Sequence, residues 1–488
     1  MTPPTPFTWA ALGLLGLAGV FFSWSYRRYR PYGRVGVLTW LQSLILMSPW
    51  FISLTVFALG LRLNLAVILA LSVGSFGGYI YLGKLIRREE ASALPLAKAQ
   101  PLPTAPVQEP EEPDLLPIPE EDLQKIRGIF GIDSFFATET IPYQEGAIFR
   151  GNLRADAEQA FAQLSQKLTA ACGDNYRLFL VEGAEDRPVV VILPSRNDPQ
   201  PMTWPQKNLA LVLLVATIAT TLEASAALLG FDFFGQWRRF PEVLPWALAV
   251  AAILAAHEVG HRLLAQKYQI RLSWPFFLPT WQIGSFGAIT RFESLLPHRA
   301  ALFDIALAGP ALGGLVSLLF LTIGLVLSHP GAGLQLPGQY FQASILVGLL
   351  AKSILGAELE QSVVAIHPLV ILGWLGLVIN ALNLLPAGQL DGGRIVQAIY
   401  GRKIARRATV GTLIILGIVA LVNTVNSLPL YWAVVILFLQ RELERPSLNE
   451  LTEPDDARAG WGLFALFLML MTLIPLSPGL ALRLGVGG

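Results

Sequence analysis

Residues Val243–Ala265 read VLPWALAVAAILAAHEVGHRLLA, and this stretch decides how the rest of the chain is understood. It is apolar from Val243 to Ala256, then carries His257, Glu258 and His261 with no change in helical character. Residues four apart on a helix sit one above the other, so His257 and His261 can offer two imidazoles to one ion. Glu258, adjacent to the first, is placed to act as general base. This is the H-E-x-x-H zinc signature. Ionisable groups in a spanning helix are costly and mark a functional site by default.

Composition agrees with a membrane address. Of 488 residues, 53% are hydrophobic and 14% charged, against about 25% charged in ordinary soluble domains. One soluble core cannot hide that much apolar surface, so a multi-span protein of the lipid bilayer is expected. A net charge of +1 gives no reason to expect nucleic acid as a partner. Cys172 is the only cysteine, which excludes an intramolecular disulfide and a cysteine-rich zinc site.

Apolar runs at Phe7–Tyr26, Val35–Leu59 and Leu63–Leu82 make residues 1–88 an N-terminal three-span block. Arg27, Arg28, Arg30 and Arg34 follow the first run, and Lys84, Arg87 and Arg88 close the third. Basic residues favour the cytoplasmic side, which puts the amino terminus outside. Residues 89–120 read as a Pro/Glu-rich linker. Residues 121–200 are patterned as a small soluble α+β domain. It has a helix over Asp156–Ala171 and strands at Tyr176–Val181 and Pro188–Leu193, joined by the polar turn Gly183–Asp186.

Residues 207–440 form the membrane core. Its spans are Lys207–Gly230, Val243–Ala265, Leu302–Leu327, Pro368–Leu385, Thr409–Val425 and the short Leu428–Leu439. Between them, Ser273–Glu293 holds Pro275, Pro279, Gly284 and Gly287, which argues for a re-entrant hairpin shielded by protein. Gly331–Gln361 reads as an outside loop with an interfacial helix near Phe341–Leu355. Residues 441–488 give a polar segment and a last span, Trp461–Ile474. The expected fold is therefore an all-α polytopic membrane protein of about nine or ten transmembrane helices, with a re-entrant hairpin and a small α+β domain.

A catalytic zinc takes three protein ligands and keeps one open position. Asp391, in NALNLLPAGQLDGGR (Asn380–Arg394), is the candidate third ligand. The alternating span count brings it to the cytoplasmic end that holds the two histidines. Gly392 and Gly393 let the backbone bend there, and Pro386 breaks the preceding helix. Asn383 is a candidate to bind substrate backbone. Substrate must unwind locally to expose a peptide bond, and Ser285–Ile289, including Ser285, Phe286 and Gly287, offers an edge to receive it as a strand. Asn380 and Gly309-Pro310 read as helix packing. His298, His329 and His367 read as surface residues, and Glu223 as an interfacial carboxylate.

HEVGH in one span, with NLLPAGQLDG ending a later one, resembles the site-2 protease family of intramembrane zinc metalloproteases. The resemblance implies zinc held by His257, His261 and Asp391, with Glu258 as the general base. Asn383 and Pro386 match the family's Asn-x-x-Pro positions. Gly151–Arg154 (GNLR), Gly284–Ser294 (GSFGAITRFES) and Asn380–Arg394 are similar to the branch known from plants as ethylene-dependent gravitropism-deficient and yellow-green proteins, over residues 120–440. That implies proteolysis of a single-span membrane protein substrate near the cytoplasmic or stromal face. No Arg- and Ser-rich segment precedes Phe7, which favours a cyanobacterial plasma or thylakoid membrane over a plastid. The rival reading is a proteolytically inactive chaperone or adaptor of the same fold. A transporter would show inverted repeats, which the sequence does not display.

Overall fold

A computed structural model describes residues 33–58, most of 71–86, scattered positions from 23 to 30, and 118–487 apart from 144, 184–186, 281–282, 332, 424–427 and 438–441. Most of the Phe7–Tyr26 run, the linker before residue 118, and parts of the Leu63–Leu82 run, the Gly183–Asp186 turn and the Leu428–Leu439 arm lie outside the described residues. The chain divides into two compact units, Met1–Glu112 with Gly417–Pro429, and Pro113–Leu416 with Leu430–Gly488.

In the first unit, helix α1 (Gly33–Ala58) matches the expected second span. It is stitched by polar groups to residues of the third run. The Gln42 amide donates to the Tyr79 carbonyl at 3.0 Å, and the Ser75 hydroxyl to the Ile45 carbonyl at 2.5 Å. Side chain to backbone bonds of this kind hold helices together where lipid offers no hydrophobic gain.

The second unit begins with an α+β region: α2 (Glu120–Arg127), β1 (Phe135–Tyr143), β2 (Gly146–Leu153), α3 (Ala157–Cys172), β3 (Tyr176–Glu182) and β4 (Pro188–Pro194). The expected helix and two of the strands are present. Strands β1 and β2 are additions to the sequence reading, and GNLR lies across the end of β2. The sheet is antiparallel in the order β1-β2-β4-β3. Asp156 caps α3 by accepting from the Glu158 amide at 3.0 Å, satisfying one of the free donors of a helix start. Leu164, Leu168, Phe149, Leu180 and Ile192 close the core between helix and sheet. Tyr176 donates to Asp122 at 2.8 Å. Burial, then that bond, pushes its phenol up to about 12.

The outer edge of β3 is not left open. The Leu180 amide donates to Leu448 O at 2.8 Å, and the Glu450 amide to Leu180 O at 2.9 Å. The same segment then reaches the membrane core, because the Leu448 amide donates to Leu296 O at 2.8 Å.

The core follows as α4 (Trp204–Leu228), α5 (Phe240–Lys267), β5 (Phe276–Thr280), β6 (Gly284–Ile289), α6 (Arg299–Val326), β7 (Leu334–Pro337), α7 (Ile345–Leu355), β8 (Val363–Ile366), α8 (Leu369–Asn383), α9 (Asp391–Val422), α10 (Leu428–Val435), α11 (Asp456–Leu473) and α12 (Pro478–Leu484). Among the described residues, five helices are long and apolar enough to cross a membrane: α4, α5 counted from Trp237, α6, α9 and α11. The apolar α8 is shorter. The protein is thus a mostly helical, multi-pass membrane protein with small sheets. Ser273–Glu293 does fold as a hairpin, β5 pairing antiparallel with β6, with an irregularity between Phe277 and Pro279. Glu223 is buried in α4 and accepts from the Phe233 amide at 3.0 Å. The Gly331–Gln361 segment is richer than expected. Strands β7 and β8 pair beside α7, around the fully buried Phe341.

The region after Asp391 differs most from the sequence reading. Helix begins at Asp391 itself rather than after a bend at the glycines, and a kink at Gly401 (φ 76°, ψ 174°) divides α9 into two helical segments, the second holding most of the expected Thr409–Val425 span. Gly392 and Gly393 lie in the first turn of α9. They serve close approach rather than bending, since a β carbon on Gly392 would stand 1.9 Å from Leu384 O.

Candidate metal centre

Helices α5, α6, α8 and the start of α9 build the centre. The buried face of α5 carries His257, Glu258, Gly260 and His261. A β carbon on Gly260 would come within 2.3 Å of Ala308 O, so this position of the motif admits α6 against α5. On α6, a β carbon on Gly309 would stand 2.2 Å from His261 Nε2. Gly309-Pro310, read from sequence as packing, therefore makes the space in which an imidazole sits.

Each ring is oriented from its far nitrogen. His261 Nδ1 lies 2.7 Å from Ile305 O, and a carbonyl only accepts, so Nδ1 carries the proton. His257 Nδ1 lies 2.8 Å from Asn380 Oδ1, while the Asn380 amide nitrogen donates to Gly376 O at 2.8 Å. That fixes the amide orientation and protonates Nδ1 of His257 as well. Both Nε2 atoms are left with lone pairs turned inward.

The two Nε2 atoms lie 3.0 Å apart. Asp391 Oδ2 joins them, 3.3 Å from His257 Nε2 and 3.5 Å from His261 Nε2. With no proton between them such atoms repel, and a bound cation would relieve that repulsion. All three residues are buried, and their ligand atoms lie within 4.8 Å of one another. A tetrahedral ion with bonds of about 2.0–2.1 Å sets its ligand atoms about 3.3 Å apart, and two imidazoles with one carboxylate suit zinc. Among the described residues this is the one such group.

Glu258 is buried beside it. Thr290 donates to its Oε2 at 2.9 Å, while Oε1 has no partner. Thr290 is not singled out by the sequence, and Asn380 and Gly309 read there only as helix packing. A polar residue at the end of a hairpin, or in an apolar helix, gives no spacing signal of its own.

The remaining candidates divide. Asn383 and Gly287 line a small cavity with His257, Glu258 and Phe277. A β carbon on Gly287 (φ 102°) would meet the Asn383 amide nitrogen at 2.9 Å. Asn383 also donates to Ile379 O at 3.2 Å. Ser285 is fully buried and donates within the hairpin to Leu278 O. Phe286 packs against Tyr431, ring centroids 4.7 Å apart, and against Trp432. Neither Ser285 nor Phe286 lines that cavity. His298 is half-buried and caps α6, accepting from the Ala301 amide at 3.1 Å.

Residues 245–424 match the family described as Peptidase family M50, and residues 124–201 match the EGY3 middle domain. The chain is 38% identical over 370 residues to "Probable zinc metalloprotease EGY2, chloroplastic" of Arabidopsis thaliana, covering 74% of this chain and 66% of that protein. It is 38% identical over 395 residues to the protein of that name in Oryza sativa subsp. japonica, covering 80% and 71%. To "Probable zinc metalloprotease EGY1, chloroplastic" of Arabidopsis thaliana it is 36% identical over 403 residues, covering 74% and 72%. No solved structure matches. The resemblance carried by HEVGH, GSFGAITRFES and NALNLLPAGQLDGGR extends through the α+β region and the core alike: the chain belongs to peptidase family M50, in the branch of the EGY zinc metalloproteases.

Proposed function

We propose that the chain is an intramembrane zinc metalloendopeptidase that hydrolyses peptide bonds of membrane-embedded proteins. The observation that carries this reading is the meeting of His257, His261 and Asp391 donor atoms beside a buried Glu258 whose Oε1 is unpartnered. His257, His261 and Asp391 are the zinc ligands in this reading. Zinc, when bound, acidifies water and polarises a carbonyl. Glu258 takes the proton of the attacking water on Oε1 and returns it to the leaving nitrogen. Asn380 and the Ile305 carbonyl keep both rings in the ligating tautomer. Apolar walls from α5 and α8 keep bulk water away from the carboxylate.

The substrate is a single-span protein, cut near the cytoplasmic or stromal face. Its unwound segment lies along β6, where Gly287 and Asn383 adjoin the cavity, and Ser285 and Phe286 hold the strand in place. The hairpin is re-entrant. With the runs outside the described residues counted, the chain has about nine or ten spans. Residues 1–88 and 121–200 are separate modules, joined by the linker 89–120 and followed by the core 207–440 and the segment 441–488. The chloroplastic relatives favour a plastid membrane over the cyanobacterial one expected from the sequence.

The test is cleavage of a single-span substrate by the purified, zinc-loaded protein in proteoliposomes. The wild type is expected to cleave, and Glu258→Gln to keep zinc and lose cleavage. Equal cleavage by both removes Glu258 from its role. Zinc bound without cleavage by either favours the adaptor reading.

A further inference from the structure

Thr290 lies just past β6, between the candidate base and the helix that carries Asp391. Its hydroxyl donates to Glu258 Oε2 at 2.9 Å, and its carbonyl accepts from Arg394 at 3.0 Å. Arg394 stands three residues beyond Asp391 on α9, its guanidinium 3.8 Å from Asp391 Oδ1. Glu444 accepts from the same guanidinium at 2.9 and 3.1 Å. The Phe292 ring lies 4.8 Å from it. Thr290, Arg394 and Glu444 are all buried. A buried guanidinium with a carboxylate partner and a ring beside it is a fixed group rather than a swinging one.

The arrangement divides the two oxygens of Glu258. One is tied to Thr290, and the other is buried with no partner. A glutamate has several rotatable bonds, and one hydrogen bond to a fixed hydroxyl removes most of that freedom. We propose that Thr290 is a positioning residue for proteolysis: it anchors one oxygen of Glu258 so that the other stays free for the proton. Arg394 holds Thr290 and Asp391 in one frame. Base and third ligand therefore keep their mutual placement, although they come from distant parts of the chain. This rests on the reading of Glu258 as general base.

The experiment compares wild type, Thr290→Val, Thr290→Ser and Glu258→Gln as full-length, zinc-loaded proteins cleaving a single-span substrate. Valine keeps the shape and deletes the hydroxyl. Thr290→Val is expected to lower kcat about 10- to 100-fold while KM moves by less than about twofold. Zinc content and melting temperature stay at wild-type values. Thr290→Ser restores most of the rate, because the hydroxyl returns without the methyl. Should valine disturb assembly, Thr290→Ala deletes the same group without bulk and gives the same drop. An unchanged kcat in Thr290→Val, or serine as slow as valine, overturns the proposal. So does a drop in Thr290→Ala that is matched by lost zinc or lowered melting. A zinc-loaded wild type that does not cleave counts instead against the protease reading, whereas an active wild type with an unimpaired valine variant counts against Thr290 alone.

Discussion

Gly309 and His261 share one space: a β carbon on the glycine would stand 2.2 Å from the Nε2 of the imidazole. Gly309→Ala must push the ring away from its lone-pair position or part α6 from α5. Overpacking of this kind costs about 1–3 kcal/mol. Zinc stoichiometry, measured on purified protein, is expected to fall, and cleavage with it. Gly314→Ala is the control, because a β carbon there meets nothing within 4 Å; it should leave both unchanged.

Asn380 acts on the metal through His257. Asn380→Ala deletes the acceptor that holds Nδ1 at 2.8 Å. Loss of such an orienting partner weakens metal affinity about 10- to 100-fold. Competition with a chelator of known affinity measures the shift. An unchanged affinity would return Asn380 to simple helix packing.

Metal removal should loosen the core as well as stop cleavage. An ion bound only by the folded state, at about a hundred times its Kd, stabilises by about 2.7 kcal/mol. Treatment with a chelator is expected to lower the melting temperature, and added zinc to restore it. Glu258→Gln should show the same zinc-dependent shift while inactive, which separates binding from chemistry.

The seam between β3 and Leu448–Glu450 predicts a pattern of hydrogen exchange. The Leu180 amide, bonded to Leu448 O at 2.8 Å, should exchange slowly. Glu450→Pro deletes the donor that meets Leu180 O. Exchange at β3 should then accelerate, while amides of β2 and β4 keep their protection.

Tyr176 gives a pH dependence in the α+β region. Its phenol is pushed up to about 12 by burial and by the bond to Asp122, above an ordinary value of about 10. The folded state favours the neutral phenol, so its contribution is complete below the ordinary value and is lost as pH rises through the folded one. Melting temperature should fall across that alkaline window, and Tyr176→Phe should remove that part of the fall.

Much of this architecture was legible because the signals were strong. An apolar run interrupted only by His257, Glu258 and His261 has few other meanings, and Asp391 was found by matching the depth of its span to theirs. Asp156–Ala171 and Tyr176–Val181 announced themselves by period. Strand β1 did not, since only Phe135 of its nine residues is buried and the alternation is faint. In α9 only the glycines read differently: Gly392 and Gly393 suggest flexibility, whereas their small size is what lets the first turn press on Leu384. The orienting roles of Asn380, Thr290 and Gly309 depend on contacts between distant segments, which no local pattern records.

The closing of β3 by Leu448–Glu450 also orders events during synthesis. The strand leaves the ribosome before any helix of the membrane core, yet its partner emerges after most of them. An unpaired strand edge invites pairing with other chains, and late, long-range pairing prolongs that exposure. A nascent chain halted short of residue 448 would carry the sheet with this flank uncovered, so truncation there should yield aggregates nucleated outside the bilayer.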